Sequence, residues 1–133
     1  MEKRPTILVV DDASAMLTLY RGLLSNEYDV RLAKSGTMAL AALSKTHPDV
    51  ILLDIEMPDM SGFEVMEAIQ KKPNYSDIPV IFVTSHATEK LVVRAVEYGA
   101  YSYVVKPFDA ETLYDKIRLA LQAKCEWVTS PGD

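Results

Sequence analysis

The sequence predicts an α/β fold, a doubly wound five-stranded parallel sheet with helices on both of its faces. Short, continuous apolar runs rich in Val and Ile, around Ile7, Val50 and Val80, are typical of strands buried on both faces. Segments with apolar residues at helical spacing lie between these runs. Because strands and helices alternate along the chain, we expect the strands to pair in parallel, with the helices covering them.

Five strands and five helices are predicted. The strand candidates are the mainly apolar runs 6–10, 30–33, 49–53, 78–83 and 103–105. The run 30–33 is the least hydrophobic of these, which favours a position at the edge of the sheet. The helices follow from four apolar stripes and one Ala-rich segment, in chain order Leu17, Tyr20 and Leu24; residues 35–46; Gly62, Val65, Met66 and Ile69; Leu91, Val92, Ala95 and Val96; Leu113, Ile117 and Leu121.

Residues with special backbone roles fall at the predicted boundaries. Ser61 precedes the third helix and has Glu64 three residues later, the spacing of a capping box. Gly99 closes the helix that starts near Ala87, where a left-handed cap favours a residue without a side chain. Prolines are expected at the edges of elements rather than inside them, and three stand at such edges, namely Pro48, Pro79 and Pro107.

Polar residues follow four of the apolar runs directly. Asp11 and Asp12 follow the first run, Asp54 ends the third, Thr84 ends the fourth and Lys106 ends the fifth. A doubly wound sheet of this kind has the strand order 2-1-3-4-5 and a ligand crevice beyond the carboxyl ends of its strands, where the first and third strands adjoin. We therefore expect all five side chains to converge on one crevice.

The chemistry of that crevice points to a metal ion and a phosphoryl group. Three carboxylates at neighbouring strand ends repel one another, and Lys106 compensates only one of them. An oxygen-only ligand set in a small, partly open site suits Mg²⁺, with Asp11 and Asp12 as ligands. Asp54, on a central strand, is the best nucleophile toward phosphorus, while Thr84 can donate its hydroxyl to a phosphate oxygen.

Each of these residues also has an ordinary structural interpretation. An Asp-Asp pair after a strand is often a helix N-cap with a solvated neighbour, and Asp54 alone could begin a turn. Thr84 with Ser85 could cap a helix, and Lys106 could be a solvated loop lysine. Their joint placement at the ends of parallel strands is what these interpretations do not explain.

Composition sets the broad class. The 133 residues predict one domain with a normal core, spanning 1–124, followed at 125–133 by a tail or the start of a linker, with 129–133 flexible. A formal charge of −5 argues against a surface for duplex nucleic acid. The sequence has no run of about twenty apolar residues that could span a membrane. The single cysteine, Cys125, excludes an internal disulfide, and a reducing cytoplasm is the simplest location.

The chain resembles the receiver domain of bacterial two-component response regulators, a flavodoxin-like fold. The resemblance extends from about Thr6 to Leu121 and rests on five motifs in order. They are Val9-Val10-Asp11-Asp12; Ala33-x-x-Gly36-x-x-Ala39-Leu40; Asp54-x-x-Met57-Pro58-x-Met60-x-Gly62; Thr84-Ser85; and Gly99-Ala100-x-x-Tyr103-Val104-x-Lys106-Pro107-Phe108.

The resemblance implies a phosphorylation-controlled switch. Asp54 would accept a phosphoryl group from a histidine kinase or a phosphotransfer protein, and Lys106 would pair with the phosphate. Mg²⁺ would be held by Asp12 and Asp54, with Asp11 close by, often through water, and with the backbone carbonyl of Glu56 completing the shell. Such a module catalyses only its own phosphorylation and dephosphorylation and is not otherwise an enzyme.

The resemblance also implies how the phosphate is sensed. Thr84, Ser85 and Lys106 would contact the phosphate. Thr84 would shift toward it, and Tyr103 would turn inward to fill the vacated space. The face formed by the fourth helix, fifth strand and fifth helix would then regulate a downstream protein or a covalently linked output domain. Glu56 and His86 would border the phosphate and tune its lifetime. Without the resemblance, Tyr103 would be a half-buried strand aromatic and His86 a solvated loop residue.

Further expectations concern the Lys106–Pro107 bond, which should be cis, and the assembly state. A homodimer formed on phosphorylation is left open. Relatives that dimerise through the fourth-helix face carry two acidic residues where this chain has Tyr101 and Ser102, which argues against their charge-paired dimer. Two other functions compete with the switch. One is a docking module of the same fold that is never phosphorylated, and the other is a phosphohydrolase, against which stands Glu56 in place of a second Asp.

Overall fold

The computed structural model describes the backbone of residues 4–129 and the side chains of residues 4–123. Strands and helices alternate as predicted, and one short 3₁₀ turn at Pro73–Tyr75 was not predicted. The strands are β1 Thr6–Val10, β2 Asp29–Ala33, β3 Val50–Asp54, β4 Val80–Thr84 and β5 Ser102–Val105. The helices are α1 Ser14–Leu24, α2 Gly36–Lys45, α3 Gly62–Gln70, α4 Glu89–Glu97 and α5 Ala110–Thr129.

The five strands form one parallel sheet in the order β2-β1-β3-β4-β5. This confirms the predicted fold class and strand order. It also confirms the edge position of the least hydrophobic strand, β2. Every residue of β3 and β4 is buried, as expected for central strands of a sheet covered on both faces.

The helices cover the two faces unequally. On one face α1 and α5 pack over the sheet through residues such as Leu24 and Ile117. On the other face α2 and α3 supply most of the contacts, through residues such as Leu43 and Ile69, and α4 adds Ala95. Because the strands are parallel, their carboxyl ends lie together at one edge of the sheet, between the two helical layers.

The caps agree with the sequence-based expectations in most places. Ser61 and Glu64 form the reciprocal capping box of α3. Gly99 has a φ of +86°, in the left-handed region, and follows the end of α4. The start of α4 differs slightly from the prediction near Ala87, because the hydroxyl of Thr88 accepts the amide hydrogen of Leu91 and the helix begins only at Glu89.

The predicted tail at 129–133 lies, from residue 130 onward, outside the described residues. None of the helices in the described part of the chain has the length and apolar character needed to cross a membrane.

Candidate functional site

Three carboxylates meet at the carboxyl ends of β1 and β3. The parallel register pairs Val10 with Leu53, so Asp11 and Asp54 emerge side by side. Both are buried, with 1% and 3% of their surface exposed, whereas the adjacent Asp12 is exposed to solvent. One carboxylate oxygen from each residue lies within 4.8 Å of the others. This cluster matches the predicted group and offers only oxygen ligands, which suit Mg²⁺.

Lys106 lies against this cluster. Its Nζ is 2.8 Å from Oδ2 of Asp11 and 3.6 Å from Oδ2 of Asp54, and its side chain is 17% exposed. The backbone amide of Lys106 donates to the carbonyl of Thr84 at 2.8 Å, which fixes the chain where β5 ends. The Lys106–Pro107 peptide bond is cis, as expected from the family resemblance. The single ammonium group of Lys106 therefore pairs with two buried carboxylates.

The protonation equilibria of the cluster reflect burial and charge together. Burial raises the pKa of Asp54 from 3.8 to about 6; Lys106 opposes this, while the negative charge of Asp11 adds to it. Burial works against the charged form of Lys106, but hydrogen bonding to Asp11 and the charge of Asp54 outweigh it and raise the pKa of the lysine. An added cation would relieve the remaining repulsion between the carboxylates.

The acidic pair does not cap the first helix. The N-cap residue of α1 is Ala13, and no side chain caps it. Oδ1 of Asp11 instead accepts the amide hydrogen of Ala13 at 2.9 Å, a local turn that leaves Oδ2 for Lys106. The alternative interpretation of Asp11 and Asp12 as an ordinary helix cap is therefore wrong.

A second group of polar residues lines the outer rim of the crevice. Oε2 of Glu56 accepts a hydrogen bond from the hydroxyl of Thr84 at 3.2 Å and lies 3.0 Å from Nδ1 of His86. Oε1 of Glu56 accepts the amide hydrogen of Ser85 at 3.3 Å. The amide of His86 in turn donates to the hydroxyl oxygen of Thr84 at 3.0 Å. We call these four residues, Glu56, Thr84, Ser85 and His86, the rim cluster.

The rim cluster is anchored to the acidic cluster through the loop after β3. The backbone amide of Glu56 donates to Oδ1 of Asp54 at 3.2 Å. Burial would raise the pKa of Glu56, but hydrogen bonds from His86, Ser85 and Thr84 outweigh it and lower that pKa. The Glu56 carboxylate is therefore held in its ionised form beside the crevice.

Gly62 allows the loop after β3 to return close to its own strand. A Cβ atom at this position would lie 2.6 Å from the carbonyl oxygen of Asp54 and 2.8 Å from Cα of Ile55, closer than any side chain can approach. The amide of Gly62 donates to the carbonyl of Ile55 at 2.9 Å. The side chains of Met57 and Phe63 are buried and belong to the same hydrophobic cluster.

Tyr103 lies beside Thr84 but points partly to solvent. Its side chain is 36% exposed, and Nζ of Lys116 lies 6.0 Å from the centre of its ring. Between Thr84 and α4 there is a small recess bounded mainly by apolar side chains. Its lining residues are Ile55, Thr84, Ala87, Leu91, Val92, Ala95 and Tyr103.

Sequence reasoning missed one buried residue of the site. Tyr20 is 1% exposed, and its ring stacks on that of Phe108 with centroids 5.8 Å apart. Burial, together with the nearby charges of Asp11 and Asp54, raises the pKa of its phenol. In the sequence Tyr20 lies on the apolar stripe of α1 and is indistinguishable from a core residue. The site was predicted from residues at strand ends, so a helical residue such as Tyr20 could not be found in that way.

Comparison with known proteins defines the class. A family model described as the response regulator receiver domain matches residues 7–118, and the chain belongs to this family. It is similar to the chemotaxis protein CheY4 of Vibrio cholerae, with 31% identity, a TM-score of 0.85, and coverage of 89% of this chain and 99% of that one. A CheY-like receiver domain protein from Methanospirillum hungatei gives 30% identity, a TM-score of 0.86, and coverage of 93% and 98%.

Longer proteins contain a similar segment. A probable cyclic di-GMP phosphodiesterase of Vibrio cholerae serotype O1 is 38% identical over 119 residues, covering 90% of this chain and 27% of that protein. The response regulator PleD of Caulobacter vibrioides is 37% identical over 113 residues, covering 84% and 25%. The chain thus spans about a quarter of the length of these two curated relatives.

Proposed function

We propose that this domain is a signalling switch that accepts a phosphoryl group on Asp54 from a histidine kinase or a phosphotransfer protein. The observation that carries the proposal is the buried carboxylate of Asp54, 3.6 Å from the ammonium of Lys106 and grouped with two other carboxylates. A carboxylate in this setting has a cation beside it that can offset the charge of an incoming phosphoryl group.

The residues fit a bound Mg²⁺ ion. Asp11, Asp12 and Asp54 would hold it together with the backbone carbonyl of Glu56, and Asp11 could act through water because its Oδ2 already pairs with Lys106. When bound, the ion would neutralise negative charge on the phosphoryl oxygens. Lys106 would turn from its carboxylate partners toward the same oxygens.

The transfer forms one bond and breaks one bond. An oxygen of Asp54 attacks phosphorus while the bond from phosphorus to the donor's imidazole nitrogen breaks; the bonding electron pair stays on that nitrogen, and a proton on the other ring nitrogen lets the donor leave as neutral imidazole. Thr84 and Ser85 donate hydrogen bonds to the new acyl phosphate. Attack of water on phosphorus would later break the bond to Asp54, release inorganic phosphate and restore the carboxylate, so the domain would catalyse only its own phosphorylation and dephosphorylation.

The output surface in this proposal is the face formed by α4, β5 and α5. Movement of Thr84 toward the phosphate would open the recess behind it, and the partly exposed Tyr103 would turn into that space. The face carries several exposed apolar side chains, a feature that supports regulation of a downstream protein or of a linked output domain. They are Val93, Val96, Tyr101, Tyr103 and Val105. We place this signalling step in the cytoplasm and leave a phosphorylation-dependent homodimer open.

The proposal is tested by intact mass after incubation with acetyl phosphate and Mg²⁺. We expect the wild-type protein to gain one phosphoryl group and Asp54→Asn to gain none. Asp59→Asn, an exposed aspartate in the same loop, is the matched control and should behave like the wild type. An unmodified wild type would support the unphosphorylated docking module instead, and steady turnover of a phosphate ester would support the phosphohydrolase.

A further inference from the structure

The outer edge of β2 offers backbone groups to a further strand. β2 is an edge strand of the sheet and pairs with β1 on its inner side. In a parallel ladder, successive residues of a strand direct their amide and carbonyl groups to opposite sides. The amide of Asp29 donates to the carbonyl of Pro5 at 2.9 Å, so Asp29 and Arg31 face β1. Val30 and Leu32 therefore direct both of their backbone groups to the open side.

A groove of about 640 Å³ lies along this edge, between α1 and α2. β2 lines the groove through residues 29–32, α1 contributes Arg21, and α2 contributes Met38, Ala41 and Lys45. The side chain of Met38 is 51% exposed, so the groove has an apolar surface as well as basic side chains. We call this feature, formed by residues 29–32 with Arg21, Met38, Ala41 and Lys45, the edge groove.

The edge groove is basic although the chain as a whole is acidic. Three cations line it, Arg21, Arg31 and Lys45, together with the carboxylate of Asp29. Nη2 of Arg31 lies 3.1 Å from Oδ2 of Asp29, which neutralises one positive charge. Among the side chains of residues 4–123, no carboxylate lies within ion-pair distance of Arg21 or Lys45. Two uncompensated positive charges thus remain on a chain whose formal charge is −5, and they would attract a negatively charged partner to this edge.

We propose that the edge groove binds an extended, acidic segment of another protein, which pairs with β2 as an additional strand. Alternate side chains of a strand lie on opposite faces, and α1 and α2 cover opposite faces of the sheet. Acidic residues on one face of the segment would therefore meet Arg21, and those on the other face would meet Arg31 and Lys45. Apolar residues on the second face would pack against Met38 and Ala41.

A protein segment fits the edge groove better than a nucleic acid does. None of the described residues that line it is aromatic, so bases would find no ring on which to stack. The outward-directed backbone groups of Val30 and Leu32 suit the backbone of a strand instead. The edge groove shares no lining residue with the crevice that holds Asp54. Binding there goes beyond the proposed function and does not depend on it.

The charge requirement is tested with a fluorescein-labelled peptide, Glu-Asp-Val-Glu-Val-Asp-Glu, whose binding is followed by fluorescence anisotropy. We expect the wild type to bind it saturably. Arg21→Glu combined with Lys45→Glu should bind at least about tenfold more weakly, because two attractive charges become repulsive. The matched control combines Lys71→Glu with Lys90→Glu, which makes the same change in net charge at exposed positions of the chain outside the edge groove. This control should bind within about twofold of the wild type.

Methylation of the peptide backbone tests strand pairing separately from charge. Methyl groups on alternate amide nitrogens remove the hydrogens that face one side of a strand. Of two peptides, methylated at odd or at even positions, one should bind at least about tenfold more weakly, because it loses its hydrogen bonds to the carbonyls of Val30 and Leu32. The other should bind like the unmodified peptide.

Four results would overturn the inference. They are the absence of saturable binding to the wild type, equal losses in the two double variants, equal binding of the two methylated peptides, and binding of a single-stranded oligothymidylate as tight as that of the peptide. The last result would assign the edge groove to a nucleic acid.

Discussion

The inner and outer halves of the crevice are stabilised by different kinds of interaction. On the inner side Asp11, Asp54 and Lys106 are almost buried, and each charge is held by another charge. On the outer side Glu56 and His86 are largely exposed and are joined by hydrogen bonds that water can replace. Removing a charge from the inner half should change the free energy of unfolding strongly, whereas the side chains of the outer half can rearrange at little cost in free energy.

This difference follows from desolvation. Two charges taken out of water depend on each other, so removal of one partner leaves an uncompensated buried charge. Exposed ion pairs contribute little to stability, because water screens them and holding two side chains costs entropy. The inner half should therefore contribute more to the free energy of unfolding than the outer half does.

The largest effect is expected for Lys106→Met in metal-free buffer. Loss of the ammonium leaves Asp11 and Asp54 facing each other, which should lower the free energy of unfolding by about 2–4 kcal/mol. Urea denaturation measures the change, with Lys34→Met at an exposed position as control. If the two variants lost equal stability, the inner half would differ little from the surface.

Magnesium should have the next largest effect. At a concentration about a hundred times its dissociation constant, the ion should stabilise the wild type by roughly 2.7 kcal/mol. Asp12→Asn should lose most of this gain, because the exposed Asp12 completes the carboxylate cluster without contributing to the core. Thermal unfolding with and without Mg²⁺ measures it, and Asp59→Asn should keep the full gain.

Asp54→Asn should stabilise the metal-free protein in a pH-dependent way. The pKa of Asp54 is raised from 3.8 to about 6 in the folded state, so the folded state binds its proton more tightly than the unfolded state does. Its ionisation therefore destabilises the fold above about pH 6, and this penalty disappears below about pH 4. The variant should gain about 1–3 kcal/mol at about pH 8.

Unfolding curves of Asp54→Asn and wild type in EDTA across this pH range decide the point. The gain should shrink steadily as the pH falls toward about 4. A gain that stays constant with pH would mean that something other than the buried carboxylate charge separates the two proteins.

The smallest effect is expected for His86→Ala. Because the pair with Glu56 is exposed, its loss should change the free energy of unfolding by less than about 0.5 kcal/mol. Chemical denaturation of this variant beside Lys106→Met measures both halves of the crevice on one scale. A loss above about 1 kcal/mol would show that the rim cluster contributes to the stability of the fold.

The fold was predictable because its signals are local and repeated. Buried strands such as β3 and β4 are recognisable as apolar runs. The parallel arrangement then follows from the alternation of strands and helices along the chain. The convergence of Asp11, Asp12, Asp54 and Lys106 was predictable for the same reason, since topology alone brings the strand ends together. Their assignment as Mg²⁺ ligands, phosphate acceptor and phosphate partner remains a prediction.

Side-chain pairings in the loops were not predictable from the sequence. The contacts of Glu56 with Thr84 and Ser85 depend on rotamers in two loops that are distant in the chain. The guanidinium of Arg94, 4.3 Å from the centre of the Phe63 ring, joins α4 to α3 in the same unforeseeable way. Such contacts leave no periodic pattern, because each involves a single residue on each partner.

The close approach of Gly62 to Asp54 bears on how such a domain can be re-engineered. The backbone at Gly62 lies so close to Asp54 and Ile55 that there is no room for even a methyl group, and a hydrogen bond from Gly62 to Ile55 holds the segment there. Insertions or deletions between the two residues should therefore displace Asp54. Exchange of an exposed side chain in this segment, such as that of Glu56, leaves the backbone contact intact.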